Sequence, residues 1–311
     1  MEQKNETILE IHDLSVSFRM YDGALEQKGL QVISDLHLTV RPGEIVAVAG
    51  SSGSGKSLLA SAILGILPGN ATLKGQMRYK GRELTPAMQK ALRGSEIALV
   101  PQSIAFLDPL MKVGRQADGH RKPYPTQKRN SLFKRFSLPE KTEKLYPFQL
   151  SGGMARRVLV STALISDAQL IIADEPTPGM SLDQALEALQ RFRELANEGK
   201  AVILITHDID LAFEFADRVA VFYAGTTVET APVSDFKTGP EALRHPYSKA
   251  LWRALPQNGF TPIEGFQPYA GNLPKGCLFA PRCPYATAEC HEKIPPEREL
   301  RGGEVRCFHA T

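Results

Sequence analysis

Residues 45–57 read Ile-Val-Ala-Val-Ala-Gly-Ser-Ser-Gly-Ser-Gly-Lys-Ser, and this stretch decides the fold. The apolar run Ile45–Ala49 predicts a buried strand, and the run Leu58–Leu67 predicts a helix that stops at Pro68 and Gly69. Between them lies the pattern G-x-x-x-x-G-K-[ST], in which glycines let backbone N–H groups turn inward around phosphate oxygens. The sequence therefore predicts a nucleotide-binding loop made of Gly50, Ser51, Ser52, Gly53, Ser54, Gly55, Lys56 and Ser57.

Within this loop the two last residues have separate predicted contacts. Lys56 is expected to contact the β- and γ-phosphates, and Ser57 to contact Mg²⁺. The alternative is a Gly/Ser loop with a chance lysine, but the strand before it and the helix after it favour nucleotide binding.

Apolar runs and helical patterns alternate along the chain after this loop. The runs are short, as in strands buried on both faces of a parallel sheet: Ile97–Val100, Leu170–Ala173, Ala201–Ile205 and Arg218–Tyr223. Helical patterns lie among them at Met154–Ile165, Leu182–Asn197 and Ile209–Ala216. Residues 8–48 read as further strands joined by turns. This alternation predicts an α/β fold.

Size and composition exclude several classes of protein. With 311 residues, of which 42% are hydrophobic and 23% charged, the chain fits a soluble globular protein of about two domains. A net charge of +3 does not point to nucleic acid. No apolar stretch approaches the roughly 18 residues that span a bilayer, and the charged N-terminus lacks the apolar core of a signal peptide. A cytosolic chain is expected, which another protein would have to anchor at a membrane.

Charge and proline are unevenly spread. Residues 111–149 hold ten Lys/Arg against three Asp/Glu and four prolines, which predicts a small basic helical insert with loops. This basic segment is either a surface for a membrane partner or a solvated face. From about Gly239 the chain is Pro-rich, with ten of the 22 prolines between Pro240 and Pro296. That region reads as a loop-rich appendage and not as a continuation of the sheet.

Two acids follow the strand predicted at Leu170–Ala173. Asp174 at the strand tip is expected to hold Mg²⁺ through water, and Glu175 to orient or deprotonate the attacking water. Taken alone, a strand ending in Asp-Glu is most often a solvated turn. Its place after a phosphate-binding loop favours the catalytic interpretation.

Residues 150–154, Leu-Ser-Gly-Gly-Met, open a helix that Ser151 would cap. A helix start of this kind, shortly before Asp-Glu-Pro and after a phosphate-binding loop, resembles the ATP-binding-cassette (ABC) ATPases, and the likeness covers about residues 8–235. The resemblance implies a RecA-like core with an antiparallel β subdomain and a small helical subdomain. It also implies ATP as substrate and Mg²⁺ held through Ser57, Gln102 and Asp174.

The same resemblance assigns further residues. Gln102 corresponds to the glutamine of the Q-loop, His207 to the switch histidine, and Tyr21 (or Phe18) is placed to stack on adenine. Cassettes of this family dimerise head to tail. The resemblance therefore implies that the signature residues act on ATP held by the partner subunit; these are Ser151, Gly152, Gly153 and Met154.

The chain departs from the usual family pattern in two places. Met154 stands where many relatives have Gln, although Met is familiar in peptide and nickel importers. After Asp174-Glu-Pro-Thr the loop does not continue to the usual Ala-Leu-Asp: Ser181 occupies the position expected for the Asp, and Asp183 comes two residues late. This departure favours unequal sites and a non-identical partner cassette.

The C-terminal part narrows the subfamily. His245-Pro246-Tyr247 and the later Ala-Pro-Arg-Cys-Pro resemble the C-terminal extension of oligopeptide, dipeptide and nickel import ATPases. The resemblance implies an ATPase subunit for import of small peptides or nickel, with a second ABC ATPase subunit, two transmembrane permease subunits and an extracytoplasmic substrate-binding protein. It would lie peripherally on the cytoplasmic face of the inner membrane. The alternatives are a soluble non-transport ABC ATPase and a regulatory cassette with little hydrolysis.

All four cysteines lie in this extension, at Cys277, Cys283, Cys290 and Cys307. Four thiolates in a loop-rich segment can hold Zn²⁺ or a [4Fe–4S] cluster. The spacing lacks the tight pairs usual for zinc, and the resemblance also favours the cluster, while reduced buried cysteines are the third alternative. The predicted organisation is an ABC ATPase domain at 8–238 with a helical insert at about 103–150, then an extension at 239–311.

Overall fold

A computed structural model describes residues 7–22, 26–51, 53–119 and 124–311. The strands in these residues are β1 Leu9–Asp22, β2 Glu26–Val40, β3 Ile45–Gly50, β4 Ala71–Tyr79, β5 Arg82–Glu83, β6 Ile97–Val100, β7 Leu170–Asp174, β8 Ala201–Ile205, β9 Arg218–Tyr223, β10 Thr226–Pro232, β11 Arg298–Leu300 and β12 Gly303–Val305.

The helices of the same residues are α1 Lys56–Leu64, α2 Pro86–Leu92, α3 Val113–Asp118, α4 Thr126–Arg135, α5 Gly152–Ile165, α6 Leu182–Asn197, α7 Ile209–Phe215, α8 Val233–Thr238, α9 Pro246–Arg253 and α10 Ala288–Glu292. Short 3₁₀ turns lie at Ile104–Phe106, Glu140–Lys144, Pro147–Gln149, Pro256–Asn258 and Ala280–Arg282. Helix α1 begins two residues earlier than its apolar run, and Gly65 in the left-handed conformation ends it before Ile66.

The core is an eight-stranded sheet in the order β11-β12-β10-β9-β3-β8-β7-β6. Strands β9, β3, β8, β7 and β6 run parallel to their neighbours in this series. Strands β3, β7 and β8 are buried along their whole length. The α/β fold predicted from continuous apolar runs is confirmed, because only strands covered on both faces can be apolar at every position.

A second, four-stranded antiparallel sheet packs beside the core in the order β2-β1-β4-β5. Its inward-facing residues share one buried cluster with Val46 and Val48 of β3 and with the apolar residues of α1. This sheet is the antiparallel β subdomain expected for an ABC cassette, and its packing supports the strand that precedes residues 50–57.

The basic segment forms the predicted small helical insert, with α3, α4 and two 3₁₀ turns. Several of its basic side chains are engaged in ion pairs. Arg129 is buried and pairs with Asp118 and Glu143, while Arg135 pairs with Glu187 and Glu194 of α6. Part of the local positive charge therefore holds the insert together and ties it to the core.

The C-terminal extension corrects one prediction: it does continue the sheet. Strand β12 pairs antiparallel with β10, at Glu229 with Val305 and Thr230 with Glu304, and β11 pairs with β12. The pairing was missed because β11 and β12 have three residues each, too short to show a pattern.

Among the described residues, no helix combines the length and the apolar character needed to cross a bilayer.

Candidate functional site

The candidate site lies where three adjacent parallel strands end. Strands β3, β8 and β7 are neighbours, and their carboxyl ends are followed by residues 51–57, by His207 and by Glu175. In open α/β sheets, ligands bind at this edge of the strands. Segments separated by more than 100 residues in the sequence therefore meet at one place.

The loop at residues 50–57 has the backbone that its glycines permit. A Cβ on Gly50 would lie 2.3 Å from the carbonyl oxygen of Phe222, so β9 approaches too closely for any side chain. Gly55 adopts φ +92° directly before α1, a conformation that residues with a side chain rarely adopt. Ser52 lies outside the described residues.

Lys56 folds back over this loop. Its Nζ donates hydrogen bonds to the carbonyl oxygens of Gly50 at 2.8 Å and Ser51 at 2.9 Å. Burial lowers the pKa of Lys56, and the nearby carboxylates of Glu175 and Asp174 oppose this shift. The ammonium group is thus held at the mouth of the loop by carbonyl oxygens that an anion would replace.

Ser54 is an unusual hydroxyl in the same loop. It is 1% exposed, and its Oγ has no hydrogen-bond partner among the residues that the structure describes. A buried hydroxyl without a partner carries a free-energy cost of about 1–3 kcal/mol, which a ligand oxygen would remove.

Asp174 ends β7 and contacts the start of α1. The hydroxyl of Ser57 donates to its Oδ1 at 3.1 Å. Burial raises the pKa of Asp174, while the hydrogen bond from Ser57 lowers it and the charge of Glu175 raises it further. A buried acid and a hydroxyl side by side form the oxygen pair that Mg²⁺ uses in phosphate-binding sites.

Glu175 has a left-handed backbone conformation and a buried carboxylate close to His207. Its φ is +48°, and its N–H donates to the carbonyl of Ile205 at 2.9 Å, which extends the parallel pairing of β7 with β8 by one residue. Its Oε2 lies 2.7 Å from Nδ1 of His207, close enough for an ion pair. The imidazole is not aligned for a hydrogen bond, so this buried oxygen has no hydrogen-bond partner in the described residues.

His207 is presented to solvent by a small network. Its side chain is 66% exposed, so it is not the buried structural histidine that was the alternative. Thr206 Oγ1 accepts from the N–H of Asp208, whose carboxylate caps α7 by accepting from Leu211. These contacts hold the turn in which His207 faces Glu175.

Gln102 is exposed, and a residue that sequence reasoning missed supports it. Arg156 of α5 donates from Nη1 to the carbonyl of Pro101 at 2.8 Å and from Nη2 to the carbonyl of Gln102. Burial lowers the pKa of Arg156, while Asp174 and Glu175 oppose this shift. The signal was present, because an arginine on an otherwise apolar helix face needs partners.

The signature residues form the start of α5. Ser151 caps the helix by accepting the N–H of Met154 at 3.3 Å, and both Ser151 and Gly152 are exposed. A Cβ on Gly153 would lie 2.9 Å from the carbonyl of Gly179. The unusual loop after Glu175 therefore packs directly on the helix start, and Gly153 is needed for this approach.

Ser181 has a structural use of its own. It caps α6 in a capping box with Gln184, whose Oε1 accepts a hydrogen bond from the N–H of Ser181 at 3.4 Å. Asp183 lies in the first turn of α6, where its charge is favourable to the helix dipole. Ser181, which stands where the family usually has Asp, therefore caps a regular helix.

The aromatic contact to adenine is only partly described. The side chain of Tyr21 lies outside the described residues. Phe18 on β1 is half-buried against the cluster that the four-stranded sheet shares with β3 and α1.

The tripeptide His245-Pro246-Tyr247 caps and begins α9. Nδ1 of His245 accepts the N–H of Tyr247 at 3.0 Å, and burial lowers the pKa of His245 to about 3. Beside it, Arg244 pairs with Glu229 of β10, and both side chains are at most 1% exposed. These buried groups bind the extension to the edge of the core sheet.

The four cysteines lie near one another and form no disulfide. Burial raises the pKa of Cys307 to about 11, and the charges of the other three cysteines raise it as well. Burial raises the pKa of the Cys277 thiol, while the backbone of Phe279 and Ala280 lowers it.

Among the described residues, the only His, Cys, Asp and Glu ligand atoms that gather in threes within 4.8 Å are those of Asp13, Asp35 and His37. The four sulfurs are therefore more widely spaced than around a tetrahedral zinc ion with Zn–S of about 2.3 Å.

Comparison with known proteins identifies the family. The model for the ABC transporter family matches residues 33–178, and the model for the oligopeptide/dipeptide transporter C-terminal region matches residues 228–290. The oligopeptide transport ATP-binding protein OppD of Salmonella typhimurium is 34% identical, covering 98% of this chain and 95% of that protein. The dipeptide transport ATP-binding protein DppD of Escherichia coli is 33% identical, covering 97% and 96%.

The fold agrees with solved cassettes. The dimeric post-hydrolysis structure of the ATP-binding cassette MJ0796, bound to ADP and Pi, aligns with a TM-score of 0.64 at 24% identity, over 72% of this chain and 98% of that one. The chain belongs to the ATP-binding subunits of the ABC transporter family, in the group that carries the oligopeptide/dipeptide C-terminal region.

Proposed function

We propose that this chain is the ATP-hydrolysing subunit that powers import of small peptides through an ABC transporter. The observation that carries the proposal is the convergence of Lys56, Asp174, Glu175 and His207 at one sheet edge, in a chain whose extension belongs to peptide importers. The named relatives transport oligopeptides and dipeptides, which favours peptides over nickel. The proposed organisation keeps an ATPase domain at 8–238, an insert at 103–150 and an extension at 239–311.

ATP binding is assigned to the loop at residues 50–57. The N-terminus of α1 and the backbone N–H groups of the loop would bind phosphate oxygens, and Lys56 would exchange its two carbonyl partners for the β- and γ-phosphates. The Ser54 hydroxyl, which has no hydrogen-bond partner in the described part of the chain, supports a ligand at this position. An aromatic contact from Tyr21 or Phe18 to adenine stays a prediction.

Mg²⁺ is assigned to Ser57, Asp174 and Gln102. The oxygens of Ser57 and Asp174 are already adjacent, and their hard-oxygen chemistry suits this ion. When bound, Mg²⁺ neutralises charge that develops on the phosphates during hydrolysis. The side chain of Gln102 is exposed, on a loop that Arg156 supports, and would supply a further oxygen ligand to the ion.

Hydrolysis is assigned to Glu175 and His207. The unpartnered Oε2 of Glu175 is an acceptor available to the attacking water, and its proton can pass to this carboxylate. His207, at 2.7 Å from the same oxygen, would orient the carboxylate and contact the γ-phosphate.

A second cassette is needed to complete each site. Ser151 and Gly152 are exposed in this chain, so their bare N–H groups can meet the ATP of a partner. Because Ser181 replaces an acidic residue in the loop that packs on Gly153, the two sites of the dimer would be unequal. This supports a non-identical partner cassette.

The helical insert is the proposed docking site for the membrane partner, which comprises two permease subunits. Its surface exposes Phe106, Leu110 and Phe148, which are 62%, 87% and 74% accessible to solvent. Exposed apolar side chains mark a binding surface where they form one contiguous patch, which is the arrangement that this proposal requires. The subunit would lie on the cytoplasmic face of the inner membrane, and an extracytoplasmic substrate-binding protein would deliver the peptide.

The cysteines are proposed to hold a [4Fe–4S] cluster, with Zn²⁺ as the alternative. Four thiols close enough for the charges of three to raise the pKa of the fourth, Cys307, fit a cluster, whose core is larger than one ion. A bound cluster would supply folding free energy to the loops around it. Anaerobically purified protein should absorb broadly near 400 nm, and Cys283→Ser should lose this absorption. Colourless protein with one equivalent of zinc would replace the cluster by zinc, and metal-free protein would exclude both.

The test of the proposed function is Glu175→Gln in the complex with permeases and partner cassette. The substitution keeps size and hydrogen bonding but removes the charge that accepts the proton. ATP should still bind, while hydrolysis and peptide uptake should fall by roughly 10² or more. Uptake into vesicles with labelled peptides, and with Ni²⁺ as the competing substrate, would be measured in parallel. Native hydrolysis by this variant would contradict the role of Glu175, and uptake of Ni²⁺ alone would contradict the substrate.

A further inference from the structure

The C-terminal extension reaches the phosphate-binding loop. The hydroxyl of Ser51 donates a hydrogen bond to Oε1 of Gln267 at 2.6 Å, across 216 positions of the sequence. Tyr247 of α9 also contacts Ser51. Burial raises the pKa of the Tyr247 phenol, and the neighbouring Ser51 lowers it. Two residues of the extension, Gln267 and Tyr247, thus lie against the same residue of the loop, Ser51.

Tyr247 is buried in a cluster of aromatic rings. It is 2% exposed, and its ring lies 4.5 Å from that of Tyr223 and 5.4 Å from that of Phe279, centroid to centroid. Tyr223 ends β9, which pairs with β3 beside the start of the loop. The extension also supplies Arg282, whose Nη1 donates to the Tyr223 hydroxyl at 3.3 Å.

Ser51 in turn touches the lysine of the site. Its carbonyl oxygen accepts from Lys56 Nζ at 2.9 Å. The side chain of Ser51 is therefore held by the extension, while its backbone holds the ammonium group that would bind phosphate. A shift of Ser51 changes both contacts together.

We propose that Tyr247 and Gln267 are positioning residues of the nucleotide site, so that packing of the C-terminal extension and binding of ATP are energetically coupled. This inference rests on the proposed assignment of residues 50–57 to ATP. It gives the Tyr of the His-Pro-Tyr tripeptide a role beyond the start of α9, since its ring packs on Tyr223 and Phe279 and its phenol lies beside Ser51 of the loop.

The size of the coupling follows from the contacts. A neutral hydrogen bond contributes a net 0.5–1.5 kcal/mol, which corresponds to a change in affinity of about 2–12-fold if the contact is made only in the binding-competent loop. Coupling is reciprocal, so nucleotide should protect the extension from local opening by the same factor.

The experiment measures binding of MgATP and MgADP to the purified full-length chain by calorimetry. Tyr247→Phe and Gln267→Ala should each raise the dissociation constant about 3–10-fold, while Phe266→Ala is the control, because Phe266 is 95% exposed beside Gln267. Ser51→Ala removes the hydroxyl that donates the hydrogen bond to Gln267. In the Ser51→Ala background, Gln267→Ala should therefore have no further effect.

Hydrogen exchange supplies a readout that a purely structural role would not move. MgADP should slow amide exchange at residues 246–253 and 265–270 in the native chain, by a factor that Tyr247→Phe and Gln267→Ala both reduce. Unchanged affinity in both variants, with no nucleotide-dependent protection, would overturn the coupling and leave the nucleotide site intact. A native chain that binds no nucleotide would overturn the proposed function itself.

Discussion

Replacing Arg156 with Met tests whether this side chain positions Gln102 in addition to stabilising the fold. The guanidinium group donates to the carbonyls of Pro101 and Gln102, and it is 8% exposed. Met has a similar length and fills most of the space, so the change removes hydrogen bonds with little loss of packing.

The expected loss of stability follows from two opposing effects. Each hydrogen bond from a charged donor contributes about 1.5–3 kcal/mol, and the carbonyl of buried Pro101 is left without its partner. Against this, the variant no longer buries a guanidinium group, and burial is what lowers the pKa of Arg156. We expect the free energy of unfolding to fall by about 1–3 kcal/mol, measured by urea denaturation.

Arg157 provides a matched control on the same helix. It is also 8% exposed and donates from Nη1 to two carbonyls, Phe136 at 2.7 Å and Ser137 at 3.2 Å, but these lie in the helical insert. Arg157→Met should therefore cost similar stability without displacing Gln102. A displacement of about 1 Å at a reacting centre can cost roughly 10² in rate.

The deciding assay is Mg²⁺-dependent ATP hydrolysis by the assembled transporter. Arg156→Met should hydrolyse ATP about 10–10²-fold more slowly and require more Mg²⁺, while Arg157→Met should stay within about threefold of the native rate. Equal rates in the two variants would refute the inference that Arg156 positions Gln102.

Two further predictions concern charge. Lys56→Ala should weaken binding of MgATP by about 10² or more, because no other ammonium group contacts the described part of the loop, and calorimetry would check this; native affinity would contradict the assignment. His245 has a pKa of about 3 when folded and about 6.5 when unfolded, so the unfolded chain binds more protons between these values and stability falls as the pH drops below 6.5. Between pH 7 and pH 5 the native chain should lose about 2 kcal/mol more than His245→Asn, which keeps an acceptor for the helix cap; parallel losses would show that His245 is not buried in its neutral form.

The sequence predicted the parts of the fold whose signal is local. Strands Ile97–Val100, Ala201–Ile205 and Arg218–Tyr223 and helix Leu182–Asn197 have the predicted bounds, because burial on both faces or on one helical face writes a continuous pattern. Asp174 and Glu175 were found for the same reason, since they end such a strand.

What the sequence missed depends on neighbours far along the chain. Strand β12 exists because β10 offers it an edge, and nothing in Gly303–Val305 alone indicates a strand. Arg156 was missed because its partners are separated from it by about 55 positions. Gln267 lies in a Pro-rich segment that gives no periodic signal, although its contact is with the most recognisable loop of the protein.

The pairing of β12 with β10 has a consequence for any shortened form of the chain. An uncovered strand edge presents free N–H and C=O groups to other molecules and is a common start of aggregation. Ending the chain near residue 239 would uncover β10 and leave the carboxylate of Glu229, which is 1% exposed, without Arg244 and the N–H of His245. The extension thus covers the edge of the core sheet at β10. An isolated cassette that ends at that boundary should self-associate through β10.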